Sequence, residues 1–382
     1  MSVPKIIRVG ITGQSGFIGT HLYNEFGLLP EKFELITFKK EYFDNSNLLA
    51  EFVKKCDVIV HLAAINRHED EKELYKINVD LADSLIQALK KADVSPHIVF
   101  SSSTQEKLDN FYGKSKLQGY MLFEKWAQDN HASLTKLIIP NVYGPFGRPN
   151  YNSFIATFCY NLIHGGDPQI MSDNEINLIY VSSICKYIIS NIENSHTIKQ
   201  PIITNFNIPP DFTQKVSGIL NILRIFKEQY FDRGIIPVLN NQNEINLFNT
   251  FCSYIDLKSY FPYRLKENRD LRGTFVEIIK LGIGGQVSFS VTKPGITRGN
   301  HFHTRKIERF AVIKGQAKIQ IRKIGTDKTF EFYLDGAEPA YVDMPVWYTH
   351  NIMNIGSEDL YTQFWINEWY DESNSDTFFE KV

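Results

Sequence analysis

The chain has 382 residues, more than one hydrophobic core usually serves, so about two domains are expected. With 43% apolar and 22% charged residues and a formal net charge of -2, it has no basic tract of the kind that holds nucleic acid or an anionic membrane. Small-molecule partners are expected instead.

Cys56, Cys159, Cys185 and Cys252 form no CxxC or CxH cluster, so neither a disulfide framework nor a thiolate metal site is suggested. MSVPKIIRVGITG lacks the charged-then-apolar layout of a signal peptide, and no run of about 18 apolar residues occurs. A cytoplasmic protein without a membrane segment is expected.

From Lys5 to about Gln200, the runs IIRVGIT, FELITF, DVIVHLAA and HIVFSSS are apolar on successive residues, the pattern of strands buried on both faces. ADSLIQALKKA and KSKLQGYMLFEKWAQDN space their apolar residues at helical intervals. The series predicts an α/β, Rossmann-type, doubly wound parallel sheet.

VGITGQSGFIG places Gly13, Gly16 and Gly19 at GxxGxxG spacing between the first strand and a helical run. Glycines there let the backbone turn tightly and approach a pyrophosphate, whose charge a helix N-terminus favours. Taken alone, a glycine-rich turn with no ligand would read the same. The second strand leads to Lys39 and Lys40, where a site for a free ribose 2′-hydroxyl usually has a carboxylate. Lys39 suits a 2′-phosphate, hence NADP(H), against the alternative of two solvated lysines.

FSSSTQEKLDNFYGKSK sets Tyr112 and Lys116 four positions apart on one helical face, after a strand ending in serines. A phenol works as an acid–base group at neutral pH when a nearby ammonium stabilises its phenolate, and a serine hydroxyl can hold the substrate oxygen beside it. Ser103, Tyr112 and Lys116 are the candidates, with Ser102 as the substitute for Ser103. Only nine positions separate Ser103 from Tyr112, so the loop between them is short. By itself, YxxxK also describes a packed tyrosine with a snorkelling lysine.

TGQSGFIG, HLAA and YGKSK together resemble the extended short-chain dehydrogenase/reductase family over about residues 5 to 250. The resemblance implies catalysis by Ser103, Tyr112 and Lys116. It implies NADP(H) held by Gly13, Gly16, Phe17, Ile18, Gly19, Lys39, Leu62, Ala63 and Lys116, and often a nucleotide-sugar substrate. PNVYGPFGRPNYNSF is similar to the family segment that opens the sugar-nucleotide pocket, which suggests Asn141, Arg148 and Asn152 as diphosphate or sugar contacts. Each of them also reads as a loop residue satisfying the backbone. Where many sugar-nucleotide members carry an arginine before YV, EINLIYVSS has Asn177 nearby, so diphosphate binding is expected to use other residues or partly the other domain.

Beyond Ser259, QVSFSV, ERFAVI, AKIQIRK, TFEFYL and LYTQFWI are separated by Gly, Pro and Asp turns, predicting an antiparallel all-β sandwich or barrel. The boundary is expected between about Asn249 and Pro262, giving domains 1–257 and 258–382. In PGITRGNHFHTRKIERFAVIKG, His301 and His303 alternate on a strand and so face one side, as two ligands of one metal require. Glu308 and, from MPVWYTHNIMN, His350 complete a set that suits Zn, Fe, Mn or Ni. For any one of these histidines, a satisfied core residue is the ordinary alternative.

The pattern G(x)5HxH(x)4E(x)6G with P(x)4H(x)3N resembles the cupin family, a jelly roll, with Pro345, His350 and Asn354 in register and Trp347 in place of the usual glycine. DLRGTFVEI, from Asp270 to Ile278, and GITRGNHFH are similar to segments of nucleotide-sugar 3,5-epimerases and ketoisomerases. That likeness implies diphosphate contact by Arg298 and proton removal beside a ketone by His301. A metal-bound imidazole nitrogen has no free lone pair, which leaves His303, Tyr348, Glu308 and a metal-bound hydroxide as alternatives for the base.

The order reductase then metal cupin resembles the bifunctional capsular-polysaccharide enzymes over essentially the whole chain. It implies a UDP-linked 4-keto amino sugar as substrate, epimerisation at C3, reduction at C4 with NADPH, a divalent metal with zinc foremost, and a homodimer. The C4 ketone acidifies C3 and is consumed by reduction, so epimerisation must come first. The rival readings are a reductase with a silent cupin, a dehydrogenase fused to an iron-dependent oxygenase, and a non-enzymatic NADP sensor or scaffold.

Overall fold

The structure, a computed structural model, describes residues 6–196, 200–270, 273–276, 278–281, 284–368 and 370–382. Leu271, Arg272 and Glu277 of the DLRGTFVEI segment lie outside the described residues. The chain forms two compact units: Met1–Tyr143, Gly147–Phe154 and Asn174–Lys215 make the first, and Gly144–Phe146, Ile155–Asp173 and Val216–Val382 make the second.

In the first unit, six strands form one sheet in the order Phe33–Ile36, Ile7–Thr12, Val58–His61, His97–Ser103, Leu134–Ile139, Ile203–Asn207. Every pairing in it is parallel. Alternate side chains feed two cores. Val58 and Val60 pack in a cluster with Leu22, Phe26, Ile184 and Ile188 from the helices Phe17–Gly27 and Val181–His196. Ile59, Ile98 and Phe100 pack in another with Phe52, Leu85, Leu89, Phe123 and Trp126, from the helices Ser46–Val53, Glu71–Ala92 and Phe111–Asp129. Helices therefore cover both faces, which is why these strands are apolar on successive residues. This is the predicted doubly wound sheet, and its strand ends carry the glycine turn and the serines.

The second unit has two five-stranded antiparallel sheets. One runs Tyr263–Arg264, Ala340–Met344, Glu308–Lys314, Leu360–Ile366, Gln286–Thr292; the other runs Thr329–Asp335, Gln316–Lys323, Tyr348–Asn354, Thr297–Phe302, Phe378–Phe379. Phe310, Ile319, Ile321, Val342, Ile352 and Leu360 are in its buried core. The expected all-β architecture is present.

Residues 216–257, grouped with the nucleotide-binding domain on sequence, fall in the second unit. Their helices pack on the β-structure there: the Tyr230 hydroxyl donates to Asp343 at 2.5 Å, and Asn249 Nδ2 donates to the Arg305 carbonyl at 3.0 Å. All four cysteines are buried and free. Among the described residues, no helix is long and apolar enough to cross a membrane.

Candidate active site and metal centre

The chain leaves its first strand at Gly13, whose φ of +78° is one that L side chains rarely adopt. A Cβ at Gly13 would lie 2.7 Å from the Ala63 nitrogen, and one at Gly19 would lie 2.2 Å from the Gly13 carbonyl oxygen. The turn therefore seats the helix Phe17–Gly27 directly against the strand ends. That helix has no side-chain cap and no acidic residue in its first turn, whereas Asn45, Asp70 and Asn110 cap the next three long helices. Its positive end is left for an outside anion, as a dinucleotide pyrophosphate requires. Phe17, Ile18, Leu62 and Ala63 are half-buried around this turn, and Lys39 is exposed beyond the second strand. The residues present fit a dinucleotide.

The three serines of His97–Ser103 have three different partners. Ser101 Oγ donates to the His61 carbonyl at 3.0 Å and accepts from Lys116 Nζ at 3.4 Å. Ser102 donates to Glu106, and Ser103 Oγ accepts from the Gln105 N–H at 3.2 Å. Tyr112 and Lys116 lie one turn apart on the helix that Asn110 caps, with Lys116 Nζ 5.9 Å from the Tyr112 ring centroid. Burial pushes the Lys116 ammonium down to about 8 and the Tyr112 phenol up to about 12, the latter also opposed by neighbouring Tyr151. The phenol thus keeps its proton in the free protein. A cation close by lowers the cost of giving it up.

Spacing rules did not single out the groups behind this site. Asn78, 5% exposed, donates to the Ile65 carbonyl and to Ser115 Oγ, both at 3.0 Å, and accepts the Ile65 N–H at 2.8 Å. It ties the helix of Lys116 to the loop after the third strand. Glu106 and Lys136 form an ion pair at 2.9 Å whose side chains are only 8% and 6% exposed. The signal for the pair was a lone lysine inside the apolar strand LTKLII; for Asn78 it was a single amide on the buried face of an amphipathic helix.

The proposed sugar-nucleotide contacts lie apart from one another in their bonding. Asn141 is exposed and reaches the Asn177 carbonyl at 3.5 Å, while Arg148 lies over the Tyr151 ring at 5.2 Å and Asn152 is exposed. Tyr151, next to Asn152 on the loop of Arg148, adds to burial in opposing ionisation of Tyr112. Arg67 donates to the Asn150 carbonyl of that loop at 3.3 Å. In the second unit, Arg298 is exposed and donates to Thr292 Oγ1 at 2.9 Å and the Val291 carbonyl at 3.3 Å. A register shift between Gly299 and His301 separates it from the histidines along the strand.

The four predicted ligands converge. One ligand atom each from His301, His303, Glu308 and His350 lies within 4.8 Å of the others. The three Nε2 atoms lie 3.7, 3.2 and 3.1 Å from the same Glu308 Oε2. His303 Nδ1 contacts the Asp376 carbonyl at 2.5 Å and His350 Nδ1 the Tyr348 carbonyl at 3.1 Å, so in both rings Nδ1 can donate to a backbone carbonyl and Nε2 is the nitrogen directed at Glu308. His303 Nε2 is buried without a hydrogen bond of good geometry, although the carboxylate is near.

Burial pulls His350 below its usual value even though Glu308 pulls the other way. Burial raises Glu308, but the three histidines outweigh it and hold the carboxyl well below its ordinary range. In place of the protons that now lie between the rings and the carboxylate, one divalent cation would be met by the three imidazole nitrogens and a carboxylate oxygen together. The residues fit a metal. Trp347, at the motif's glycine position, has φ +63° and is 2% exposed. Its backbone N–H donates to the His303 carbonyl at 2.7 Å and its ring stacks on Phe302 at 5.6 Å, so His350 stays in register.

Residues 9–208 match the NAD dependent epimerase/dehydratase family. The chain belongs to that family. The chain also matches the polysaccharide biosynthesis C-terminal domain over residues 268–378. It is 31% identical over 377 residues to the UDP-2-acetamido-2,6-beta-L-arabino-hexul-4-ose reductase of Pseudomonas aeruginosa, covering 97% of this chain and 98% of that one. The crystal structure of the capsular polysaccharide assembling protein CapF from Staphylococcus aureus is 35% identical, with a TM-score of 0.61 over 98% of this chain and 100% of that chain. A structure of CapF with the inhibitor 3-isopropenyl-tropolone is 33% identical, with a TM-score of 0.56 over 98% of this chain and 100% of that one. The family member described here is a CapF-type polysaccharide enzyme.

Proposed function

We propose that this chain is a bifunctional nucleotide-sugar enzyme that makes a capsular or O-antigen polysaccharide precursor. Its β unit, a metal cupin, inverts C3 of UDP-2-acetamido-2,6-dideoxy-L-arabino-hexos-4-ulose. Its nucleotide-binding unit reduces the C4 ketone with NADPH to UDP-2-acetamido-2,6-dideoxy-L-talose, on the route to UDP-N-acetyl-L-fucosamine. The reading includes a homodimer in the cytoplasm. The observation that carries the reductase half is Tyr112 and Lys116 one helical turn apart beside the serine strand. The full-length relationship to a reductase named for a keto sugar of this kind supports the substrate class.

NADPH, when bound, supplies the hydride. Ser103 orients the ketone oxygen, and Tyr112 gives its proton to that oxygen as negative charge develops there. Lys116 stabilises the phenolate left behind, and Lys39 meets the 2′-phosphate of the cofactor. Asn141, Arg148 and Asn152 are the proposed contacts to the UDP-sugar.

At C3 the proton to be moved is weakly acidic, and a base, an acid on the opposite face and a partner for the enolate oxygen are required. A divalent metal, zinc foremost, would be held by His301, His303, Glu308 and His350 and would supply Lewis-acid stabilisation. With those four side chains used as ligands, Tyr348 is the one protein side chain left among the proton-transfer candidates, beside a metal-bound hydroxide. Burial pushes its phenol up to about 12, which suits a proton donor. Arg298 is the proposed diphosphate contact of this unit.

Proton NMR in deuterated water, with NADPH and the 4-keto sugar, tests both halves. Deuterium is expected at C3 of the product from the wild type and not from His301→Ala; exchange that survives the substitution rejects metal-assisted epimerisation. NADPH consumption with no exchange in the wild type would instead mark the unepimerised L-rhamno product. Tyr112→Phe is expected to lower kcat for ketone reduction by about 100- to 10,000-fold. Retained turnover would remove Tyr112 as the proton donor.

A further inference from the structure

We infer that the C-terminal strap, through Asp376, positions His303 to hold a divalent metal, an inference that rests on the metal-site reading above. The strap turns at Glu372–Asn374 and ends in the short strand Phe378–Phe379, which pairs antiparallel with Phe302 and His301. Phe378 stacks on Phe302 at 5.4 Å, across from Trp347 on the same ring. The strap thus lies against the strand that carries two of the four ligands.

Asp376 is 5% exposed and acts through both of its polar ends. Its backbone carbonyl accepts from His303 Nδ1 at 2.5 Å. Its carboxylate oxygens divide four donors: Oδ1 accepts from the Thr304 N–H at 3.0 Å and the Thr304 hydroxyl at 2.6 Å, and Oδ2 accepts from the N–H groups of Arg305 at 3.0 Å and Lys306 at 3.2 Å. Arg305 and Lys306 return to the strap through the carbonyls of Asn374 at 2.6 Å and Ser375 at 2.5 Å.

One residue therefore fixes the His303 ring and clamps the turn that follows it. The Nδ1–H bond selects the tautomer whose lone pair sits on Nε2, the nitrogen directed at Glu308. The clamp keeps that carbonyl opposite Nδ1, and weakening it loosens the ring's hold on the orientation and tautomer that can bind a cation.

Asp376→Asn tests this at constant shape. With its NH2 at the Oδ2 position the amide faces two backbone N–H donors and loses both bonds; turned the other way it loses the Thr304 N–H bond, while the rotatable Thr304 hydroxyl can accept from it, so at least one of the four bonds is lost. Zinc and cobalt(II) are titrated into the metal-free full-length protein against a chromogenic chelator. The wild type is expected to take up one equivalent, and Asp376→Asn to bind about 10- to 100-fold more weakly with altered cobalt absorption bands. Binding of NADP(H) is expected to be the same in both. Equal metal affinity and an unchanged cobalt spectrum in the variant overturn the inference, whereas a wild type that takes up no metal overturns the metal reading itself. If Asp376→Asn does not fold, Thr304→Val removes one bond to the same carboxylate, and wild-type affinity in that variant overturns the inference.

Discussion

Lys116 sets the electrostatics of the proposed reductase site. Burial lowers it from its ordinary 10.5 to about 8, so between those pH values the unfolded chain holds a proton that the folded chain has released. The resulting penalty on folding is full below about pH 8 and fades as pH rises toward 10.5. Lys116→Met is expected to stabilise the cofactor-free protein at pH 7 by up to about 3 kcal/mol, and the gain to shrink at alkaline pH. Urea unfolding at both pH values measures the difference; a variant no more stable than wild type at pH 7 contradicts a buried cation. A site that holds an unpaired ammonium for chemistry gives up stability to do so. Trp347 shows a related exchange, since its positive φ carries strain of about 1–3 kcal/mol that its backbone N–H bond to His303 and its stacking on Phe302 offset.

Between the serine strand and the helix of Tyr112 and Lys116, the short turn Thr104–Lys107 carries Glu106, and a Cβ on Gly113 would lie 2.0 Å from the Gln105 carbonyl. The helix therefore starts against the turn, which is how only nine positions suffice between Ser103 and Tyr112. Glu106 and Lys136 anchor that turn to the next strand from a buried position. Lys136→Met alone leaves an uncompensated carboxylate and is expected to cost about 3–5 kcal/mol. Adding Glu106→Gln should recover much of that loss, because the double variant buries no net charge. Urea denaturation of the wild type, both single variants and the double variant measures the coupling; additive losses would show that the pair acts as two independent residues.

Each of the two compact units holds one constellation: the dinucleotide turn with Tyr112 in the first, the His–Glu cluster in the second. Removing metal with a chelator is expected to abolish C3 exchange and to lower the melting temperature of the second unit. Reduction of a C4 ketone that needs no epimerisation should persist. Calorimetry with and without added zinc, alongside NADPH oxidation, checks this; loss of both activities on chelation would mean that the metal serves the reductase as well. The four side chains already converge within ligand reach of one another, so binding of a cation there adds stability by mass action.

Much of the fold was legible in the residues because its signals are local. Strands such as IIRVGIT and DVIVHLAA carry apolar residues on successive positions since both faces of a parallel sheet are covered, and the alternation in AKIQIRK marks a strand with one covered face. GxxGxxG, YxxxK and HxH place their groups within a turn or a strand, where geometry follows from spacing. The grouping of residues 216–257 with the β unit, the clamp of Asp376 on His303 across 73 positions and the Glu106–Lys136 pair across 30 were settled only by the tertiary structure. A hydrogen bond or ion pair between distant segments leaves no periodicity in either one. The sequence by itself determined which chemical groups are present and on which elements; the packing of those elements decided which of them meet.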